Sequence, residues 1–439
     1  MEQRRKNLTQ LFIPICLETL LYMLSGMVDT LMLSSVNDQA VGAVGTANTY
    51  IGIFIIMFSV ISSGMVAVMT QNIGAGRPGV AYQARQLGLA FNAVLGVIMS
   101  LFLSLGAGTI LSGVGVADAL MQPAKTYLQI VGGFCILNAL IPICSSYLRA
   151  FGFSKEPLYA SIIGNVINFC LNAFFLFVLH KGVAGVATAT VISRIINLVI
   201  VVLLGAVLVK AKQHPERESN RAVMGQIIRI GLPSACETAI YNVSMTLVIR
   251  FLNQMDAQGL NVTARSYTMQ ITNFSYCVGA ALAQANAIMT GWHIGAKEYD
   301  ACDRGTKKAA VIGVIVAVIL ETVFTLCSGW IMQLFSKDPQ MVSLVGKLLA
   351  IDIVLEIGRV TNLVYGQALK TSGDAVFPVV MGACFMILCS VGGTYLFGIR
   401  LGLLAVGAYI GMTGDECVRA VGMYLRWKSG KWKSKGLVD

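Results

Sequence analysis

Acidic residues inside apolar segments are the groups in this sequence best placed to do chemistry. Glu18 and Asp29 lie eleven residues apart in the first apolar segment. That spacing is a net rotation of about 20° along an α-helix, so both fall on one face, about 16 Å apart. Neither has a basic partner within the segment. An acid held in lipid keeps its proton until water or a cation reaches it. We therefore predict that Asp29 binds a proton or cation, with a packed, permanently protonated acid as the alternative.

A polar stripe in the fifth apolar segment could complete such a site. Asn165, Asn168 and Asn172 share one helix face by their spacing, and the sixth segment begins GVAGVATAT, which contains Thr188 and Thr190. Amide and hydroxyl oxygens that converge on an Asp could bind a hard cation or a proton. The alternative is that these side chains only hydrogen-bond one helix to another.

Two further groups of charges have the spacing of ion pairs. Asp352, Glu356 and Arg359 fall at i, i+4 and i+7, and Asp415 and Arg419 at i and i+4, so each group lies on one helix face. We predict that Glu356, Arg359, Asp415 and Arg419 form structural ion pairs. Two other arginines, Arg194 and Arg250, are expected near span ends, where long side chains reach the interface.

The elements that must position these residues are membrane helices. Of 439 residues, 56% are hydrophobic and 12% charged, against about a quarter charged in soluble domains. This composition excludes a soluble enzyme and a disordered chain. It predicts an all-α integral membrane protein. In lipid, the backbone N–H and C=O groups of a spanning segment find hydrogen-bond partners within a helix and not in the solvent. Twelve transmembrane helices are predicted at 9–35, 43–70, 87–112, 126–148, 157–179, 184–209, 227–254, 264–290, 309–334, 343–369, 377–398 and 402–425.

The distribution of basic residues predicts the orientation. Most Lys and Arg residues outside the spans fall on one side, which places both termini in the cytoplasm of a multi-pass protein of the cell membrane. The net charge of +11 is therefore mostly a topology signal, and no nucleic-acid partner is expected. The basic tail RWKSGKWKSK is expected against anionic headgroups, with Trp427 and Trp432 at the interface.

The sequence repeats itself at half its length. Segments near the start and just past the middle share four residues at an offset of 219: Pro14, Glu18, Thr19 and Tyr22 recur as Pro233, Glu237, Thr238 and Tyr241. A second echo pairs QNIGAGRP with WHIGAKEY, and a third, weaker one pairs YLRAFGFSKEP with ALKTSGDAVFP, in the same order. The repeats are parallel because six spans separate them.

The repeat predicts two lobes. We expect an N-lobe at residues 1–209 with six helices, a polar cytoplasmic linker at 210–221, and a C-lobe at 222–439 with six helices and the basic tail. Parallel six-helix halves with binding between them are one architecture of secondary transporters.

These motifs together resemble the bacterial multidrug and toxin extrusion (MATE) transporters over essentially the full chain. The similar features are Pro-x-x-x-Glu with Asp29 in span one, the QNIGA and HIGA turns, GVAGVATAT, EIGRVTNLVYGQALKTSGD in span ten, and GDECVRAVGMYLRWKSGKWK at the end. The resemblance implies a V-shaped pair of six-helix bundles that exports organic cations in exchange for protons or sodium.

The resemblance also implies site residues. The N-lobe cation and proton site would be Asp29, Asn168, Asn172 and Thr190. In the C-lobe, Glu237 with Tyr241 would serve coupling, and Glu18 and Tyr22 could line the cavity. The family commonly has an Asp-Pro pair where this chain has Asn172-Ala173, so Asp29 would titrate alone in the N-lobe.

The sequence therefore predicts a secondary antiporter for small cationic organic substrates, driven by H⁺ or Na⁺. No cofactor is expected, and no metal apart from transient Na⁺ at the Asp29 site, and we expect a monomer. The nearest alternative is a flippase for lipids or lipid-linked oligosaccharides. An intramembrane enzyme is disfavoured because His180, His214 and His293 all fall in predicted loops, and a non-transporting scaffold remains a further alternative.

Overall fold

The computed structural model describes residues 6–35, 38–113, 116–210, 214–256, 258–333 and 335–438. Within these ranges every regular element is a helix and no strand occurs. The predicted all-α fold is confirmed. The chain divides into two compact units, residues 1–232 and 233–439.

Among the described residues, the first unit contains seven complete helices and the start of an eighth. Their bounds are α1 Leu8–Ser34, α2 Asp38–Gly74, α3 Pro78–Gly113, α4 Asp118–Gly133, α5 Ile136–Ala150, α6 Lys155–Ala173, α7 Gly182–Leu208 and the beginning of α8 Asn220–Met255. A π-helical turn, Phe174–Val178, extends α6. The core lies between α2, α3 and α4, where small residues such as Ala43, Ala47 and Ala107 are fully buried and let the helices approach closely.

The second unit is built around one central helix. Its elements are the rest of α8, α9 Leu260–Gly295, α10 Tyr299–Leu326, α11 Ser328–Met332, α12 Pro339–Thr371, α13 Val376–Phe385 and α14 Leu404–Lys428. Two π-helical segments, Met386–Val391 and Thr394–Arg400, extend α13. The central helix α12 packs against α9, α10 and α14.

Each predicted span coincides with a helix or a helix pair. In the described ranges, seven helices are long and apolar enough to cross a membrane, or eight if the bent pair α4 and α5 counts as one span. The helices at the other four predicted spans, α8, α9, α12 and α14, carry more charged and polar residues. The charged residues in the interior of α9, α12 and α14 are buried inside the second unit, which is how a membrane helix accommodates charge: Arg265, Asp352, Glu356, Asp415, Glu416 and Arg419. The arginines of α8, in contrast, are exposed.

The boundary between the units lies inside α8, whereas the sequence placed it in the linker at 210–221. The linker is bound to the start of α3. Arg77, just before that helix, forms an ion pair with Glu218 at 2.5 Å, and the Gln83 amide of α3 donates to the Glu218 carbonyl at 2.7 Å. The first turns of α8 then pack on α2, where a Cβ on Gly231 would lie only 1.7 Å from the Val60 carbonyl oxygen. These contacts keep residues 214–232 with the first unit.

The C-terminal tail is bound to protein, so the expectation that its tryptophans lie at the membrane interface is wrong. Trp427 and Trp432 are each 1% exposed and their rings stack with centroids 4.1 Å apart. The Trp427 indole donates to Asp303 and the Trp432 indole donates to the Trp427 carbonyl, at 2.8 and 2.9 Å. Aromatic stacking and satisfied N–H donors explain why both rings are buried rather than lipid-facing.

An acid in the loop between α12 and α13 holds this tail. Asp374 accepts from Arg426 at 2.7 Å and pairs with Lys435 at 2.8 Å. Gly373 next to it has φ +95°, and a Cβ there would lie 2.1 Å from the Lys435 carbonyl oxygen, so the close approach of the tail requires glycine. Burial alone would raise the pKa of Asp374, but the hydrogen bonds from Arg426 and Lys435 outweigh it, and the pKa is lowered from its usual 3.8.

We expect tail docking to weaken in acid. Because the folded-state pKa of Asp374 lies below its unfolded value, the stabilisation is fully present above that unfolded value and is lost as pH falls through the folded one. Acrylamide quenching of tryptophan fluorescence should therefore rise below about pH 4. In Asp374→Asn quenching should already be high at neutral pH and should not rise further in acid. If fluorescence quenching changed with pH in the same way in the wild type and in Asp374→Asn, Asp374 would not hold the tail in place.

Candidate functional site

Three of the four predicted N-lobe site residues come together in the first unit. The Asn172 amide nitrogen of α6 donates to the Asp29 carboxylate of α1 at 2.6 Å and to the Asn168 side-chain oxygen at 3.2 Å. Asn168 and Asn172 are buried and Asp29 is half-buried. The buried side-chain oxygen of Asn172 has no hydrogen-bond partner. The cluster thus combines a carboxylate, an amide donor and a free amide acceptor.

The fourth residue, Thr190, is buried on α7 with its hydroxyl committed to its own helix. The Thr190 hydroxyl donates to the Val186 carbonyl at 2.9 Å. Toward any other group, the Thr190 oxygen can therefore act only as an acceptor. One turn further, Arg194 interacts electrostatically with Asp29 and Tyr127. The expectation that Arg194 lies near a helix end is wrong, since it sits in the middle of α7. A basic residue from another helix therefore influences Asp29, which spacing along one helix could not show.

Glu18 lies on α1 and is engaged in an ion pair. Its carboxylate is 2.6 Å from Arg149 at the end of α5, and the Ser161 hydroxyl donates to it at 3.4 Å. Both partners of the pair are nearly buried, with side chains 15% and 11% exposed. Tyr22, one turn further along α1, is 70% exposed.

The second unit contains the repeat-related pair. Glu237 of α8 lies 2.5 Å from Lys370 at the end of α12. Glu237 matches Glu18 in the first internal echo, and Lys370 matches Arg149 in the echo of YLRAFG with ALKTSG. The two halves therefore contain the same glutamate–base ion pair. Tyr241, 36% exposed, lies one turn beyond Glu237.

The predicted ion pairs on α12 and α14 are present and belong to one network. Arg419 contacts Asp415 through two nitrogens at 2.8 and 3.0 Å and also contacts Glu416 at 2.8 Å. Arg359 pairs with Glu356 and lies 3.8 Å from Glu416. The amide of Asn362 donates to Glu416 at 3.0 Å, so the network links the two helices as well as pairing charges within each.

Sequence reasoning missed a cluster of acids beside this network. Glu321 of α10, Asp352 and Glu356 each present an oxygen within 4.8 Å of the other two, and all three side chains are buried. Asp352 and Glu356 were read as structural by their spacing on α12. Glu321 lies in another span, and only the packing of α10 on α12 brings it to them.

A cavity of about 200 Å³ in the second unit borders these charges. Its lining is aromatic, thioether and charged, and includes Tyr241, Met269, Tyr276, Asp352, Arg359 and Glu416. Aromatic faces and carboxylates attract organic cations, and methionine side chains adapt to irregular ligands.

The histidines give no support to an enzyme. His180 and His214 lie in connections as predicted, but His293 lies in the last turn of α9, where its Nδ1 is 2.8 Å from Glu298. The HIGA turn thus begins inside the helix.

Long apolar helices with buried ion pairs and polar clusters define a multi-pass membrane protein of the transporter class. The MatE family model matches the chain twice, over residues 14–174 and 233–396, and the two matches start 219 residues apart, as the internal repeat does. The chain belongs to the MatE family of membrane transporters and is not an enzyme.

Curated relatives and solved structures agree with this assignment. The chain is 34% identical over 430 residues to "Uncharacterized transporter YisQ" of Bacillus subtilis, covering 97% of this chain and 94% of that protein. It is 23% identical to "Probable multidrug resistance protein NorM" of Thermotoga maritima, covering 99% and 94%. A MATE crystal structure in the straight conformation matches with TM-score 0.88 at 20% identity, covering 97% of this chain and 96% of that one. This last likeness shows the fold.

Proposed function

We propose that this protein is a secondary antiporter that exports organic cations or drugs in exchange for H⁺ or Na⁺ by alternating access. The observation that carries the proposal is the contact of Asp29 with Asn172 and Asn168 in the first unit. A half-buried carboxylate beside a free amide oxygen can hold a proton or a small hard cation and release it when its surroundings change. Glu237 with Tyr241 is the proposed coupling group of the second unit.

Cationic substrates fit the cavity of the second unit. Its charged lining comprises three acids, Asp352, Asp415 and Glu416, and two bases, Arg265 and Arg359. Arg359 and the neighbouring Arg419 are shared among Glu356, Asp415 and Glu416. Together with Asp352 and Arg265, four acids face three bases, which leaves a net negative charge when all are ionised. Relatives that are named as probable multidrug resistance proteins support a drug-like substrate.

The ion gradient supplies enough free energy for this task. Moving one elementary charge inward across 100 mV releases about 2.3 kcal/mol. That would concentrate a neutral substrate several tens-fold. One-for-one exchange of a monovalent organic cation moves no net charge, so the chemical ion gradient or a second coupling ion must drive its export. We place the protein in the cell membrane with both termini cytoplasmic, as a monomer without a cofactor beyond the coupling ion.

Transport in vesicles tests the proposal. Inverted membrane vesicles that contain the protein should accumulate a cationic dye when a Na⁺ or a H⁺ gradient is imposed, and collapse of that gradient should stop accumulation. Imposing the two gradients separately identifies the ion. A flippase would instead move a lipid-linked phosphate and leave the dye distribution unchanged. Absence of gradient-driven dye movement with either ion would overturn the proposal.

A further inference from the structure

Arg265 of α9 is a buried base without a counter-charge. It is 5% exposed and forms no ion pair within the described residues. Its Nε has no hydrogen-bond partner, and its Nη2 contacts the Met245 sulfur at 3.7 Å, which is a weak acceptor. In the same unit, Arg359 and Arg419 both contact carboxylates. Because arginine keeps its charge inside proteins, Arg265 requires an anion that the protein itself does not supply.

Arg265 lines the cavity of about 200 Å³ in the second unit. An apolar cavity of about 150 Å³ binds benzene, so this cavity has room for one aromatic ring with short substituents. Met245, Met269 and Tyr276 also line it, and thioether and aromatic side chains pack well on a ring. The anion that reaches Arg265 is therefore expected to be part of a small aromatic molecule.

The same cavity also contains an acid without a counter-charge. Asp352 of α12 lines it, and one of its carboxylate oxygens has no hydrogen-bond partner. Neither Asp352 nor Arg265 belongs to an ion pair within the described residues, so the two opposite charges do not neutralise each other directly. Tyr409, a third lining residue, interacts electrostatically with both. The cavity thus offers a ligand one site for a negative group and one for a positive group.

The two charges lie at different depths of the unit. Helices α9 and α12 run in the same direction, because one long helix, α10, and the short α11 connect them. They are level where a Cβ on Gly279 would lie 2.9 Å from the Val360 side chain. Arg265 precedes Gly279 by 14 residues, and Asp352 precedes Val360 by 8. At 1.5 Å per residue, their backbone positions differ by about 9 Å in depth, so a ligand must span the cavity to reach both.

We propose that Arg265 binds the carboxylate of a zwitterionic substrate, an aromatic molecule with a carboxylate at one end and an ammonium or similar cation at the other. A guanidinium binds a carboxylate through two parallel hydrogen bonds, and the cationic group is held on the acidic side of the cavity, at Asp352. This assignment rests on the proposed function and narrows its substrate class. A zwitterion carries no net charge, so its exchange for one ion moves charge, and the membrane potential then contributes to export.

Calorimetric titration of the purified full chain tests the carboxylate subsite. The probes are 4-(aminomethyl)benzoate and 4-(aminomethyl)benzamide, which share the ring and the ammonium and differ in the carboxylate alone. The wild type should bind the benzoate at least about tenfold more tightly, because hydrogen bonds to a charged group are strong. Arg265→Gln should abolish this preference, and Arg265→Lys should reduce it, since lysine lacks the planar fork. Arg250→Gln, which removes an exposed arginine of α8, should retain it in full.

Protein stability distinguishes a binding role from a structural one. Arg265→Gln removes a buried charge that has no partner, so its Tm should equal or exceed that of the wild type. A lower Tm would indicate a structural role and would contradict the assignment. If Arg265→Gln does not fold, Arg265→Lys keeps the charge, and an undiminished preference for the benzoate in that variant would also contradict it.

Three binding results would overturn the carboxylate subsite. They are equal affinity of the wild type for the two probes, binding of neither probe, and a preference for the benzoate that survives in Arg265→Gln. The titration needs no ion gradient, so its outcome is independent of the vesicle assay. Failure of gradient-driven dye transport together with a preference for the benzoate would reject antiport alone. Coupled dye transport together with equal affinities would reject the Arg265 subsite alone.

Discussion

Asp29→Asn is expected to lower ion-driven dye efflux by about 10- to 100-fold. Coupling free energies between two ligands of one protein typically correspond to changes of this size. The substitution preserves the size of the side chain and its position opposite Asn172, but the amide can no longer take up or release a proton and offers a cation no charge. Substrate binding and ion binding would then no longer compete at this site. The measurement is dye accumulation in inverted vesicles under an imposed Na⁺ or H⁺ gradient.

Two variants make this result specific to coupling. Asp300→Asn removes an exposed acid of α10 and should leave efflux at the wild-type rate. Asn172→Asp adds a second carboxylate next to Asp29, and it should shift the pH dependence of efflux because two adjacent acids titrate as a coupled pair. Coupled efflux at the wild-type rate in a folded Asp29→Asn protein would end the assignment of Asp29.

The sequence was informative where periodicity and composition decide the structure. Long apolar stretches must be helices in lipid, and every one of the predicted spans falls on helix. The i, i+4 spacing of Asp415 and Arg419 was enough to predict their ion pair, because both partners lie on one helix and spacing alone sets their distance.

Contacts between helices could not be predicted in the same way. Glu18 pairs with Arg149, 131 residues away, and Glu321 joins Asp352 only through the packing of α10 on α12. Arg194 reaches the Asp29 environment from α7 for the same reason. A single sequence fixes which residues share a helix face but not which faces meet.

The buried tail illustrates a second limit. Basic residues with two tryptophans are typical of a membrane interface, and the composition of RWKSGKWKSK fits that expectation. The ion pair of Lys435 with Asp374 depends on a loop 53 residues upstream of Trp427. Local composition carries no information about that loop.

The repeat-related ion pairs yield the second large expected effect, which concerns stability. Arg149→Ala and Lys370→Ala should each lower the free energy of unfolding by about 3–5 kcal/mol, because each leaves a nearly buried glutamate without its counter-charge. The pair side chains are only 11–15% exposed, so solvent screens them little. Thermal unfolding of the purified protein, or resistance to proteolysis, measures the loss.

A double-mutant cycle separates the ion pair from packing. Glu18→Gln with Arg149→Ala, and Glu237→Gln with Lys370→Ala, should each be less destabilising than the basic substitution alone, since no unpaired charge is left behind. Lys307→Ala, which breaks the exposed i, i+4 pair with Asp303, should have a much smaller effect. Because the two pairs occupy equivalent positions in the repeat, we expect the same pattern in both halves. If the free-energy changes of the two single substitutions simply add in either half, the ion pair contributes little there. The shared glutamate–base arrangement would then not be what stabilises that unit.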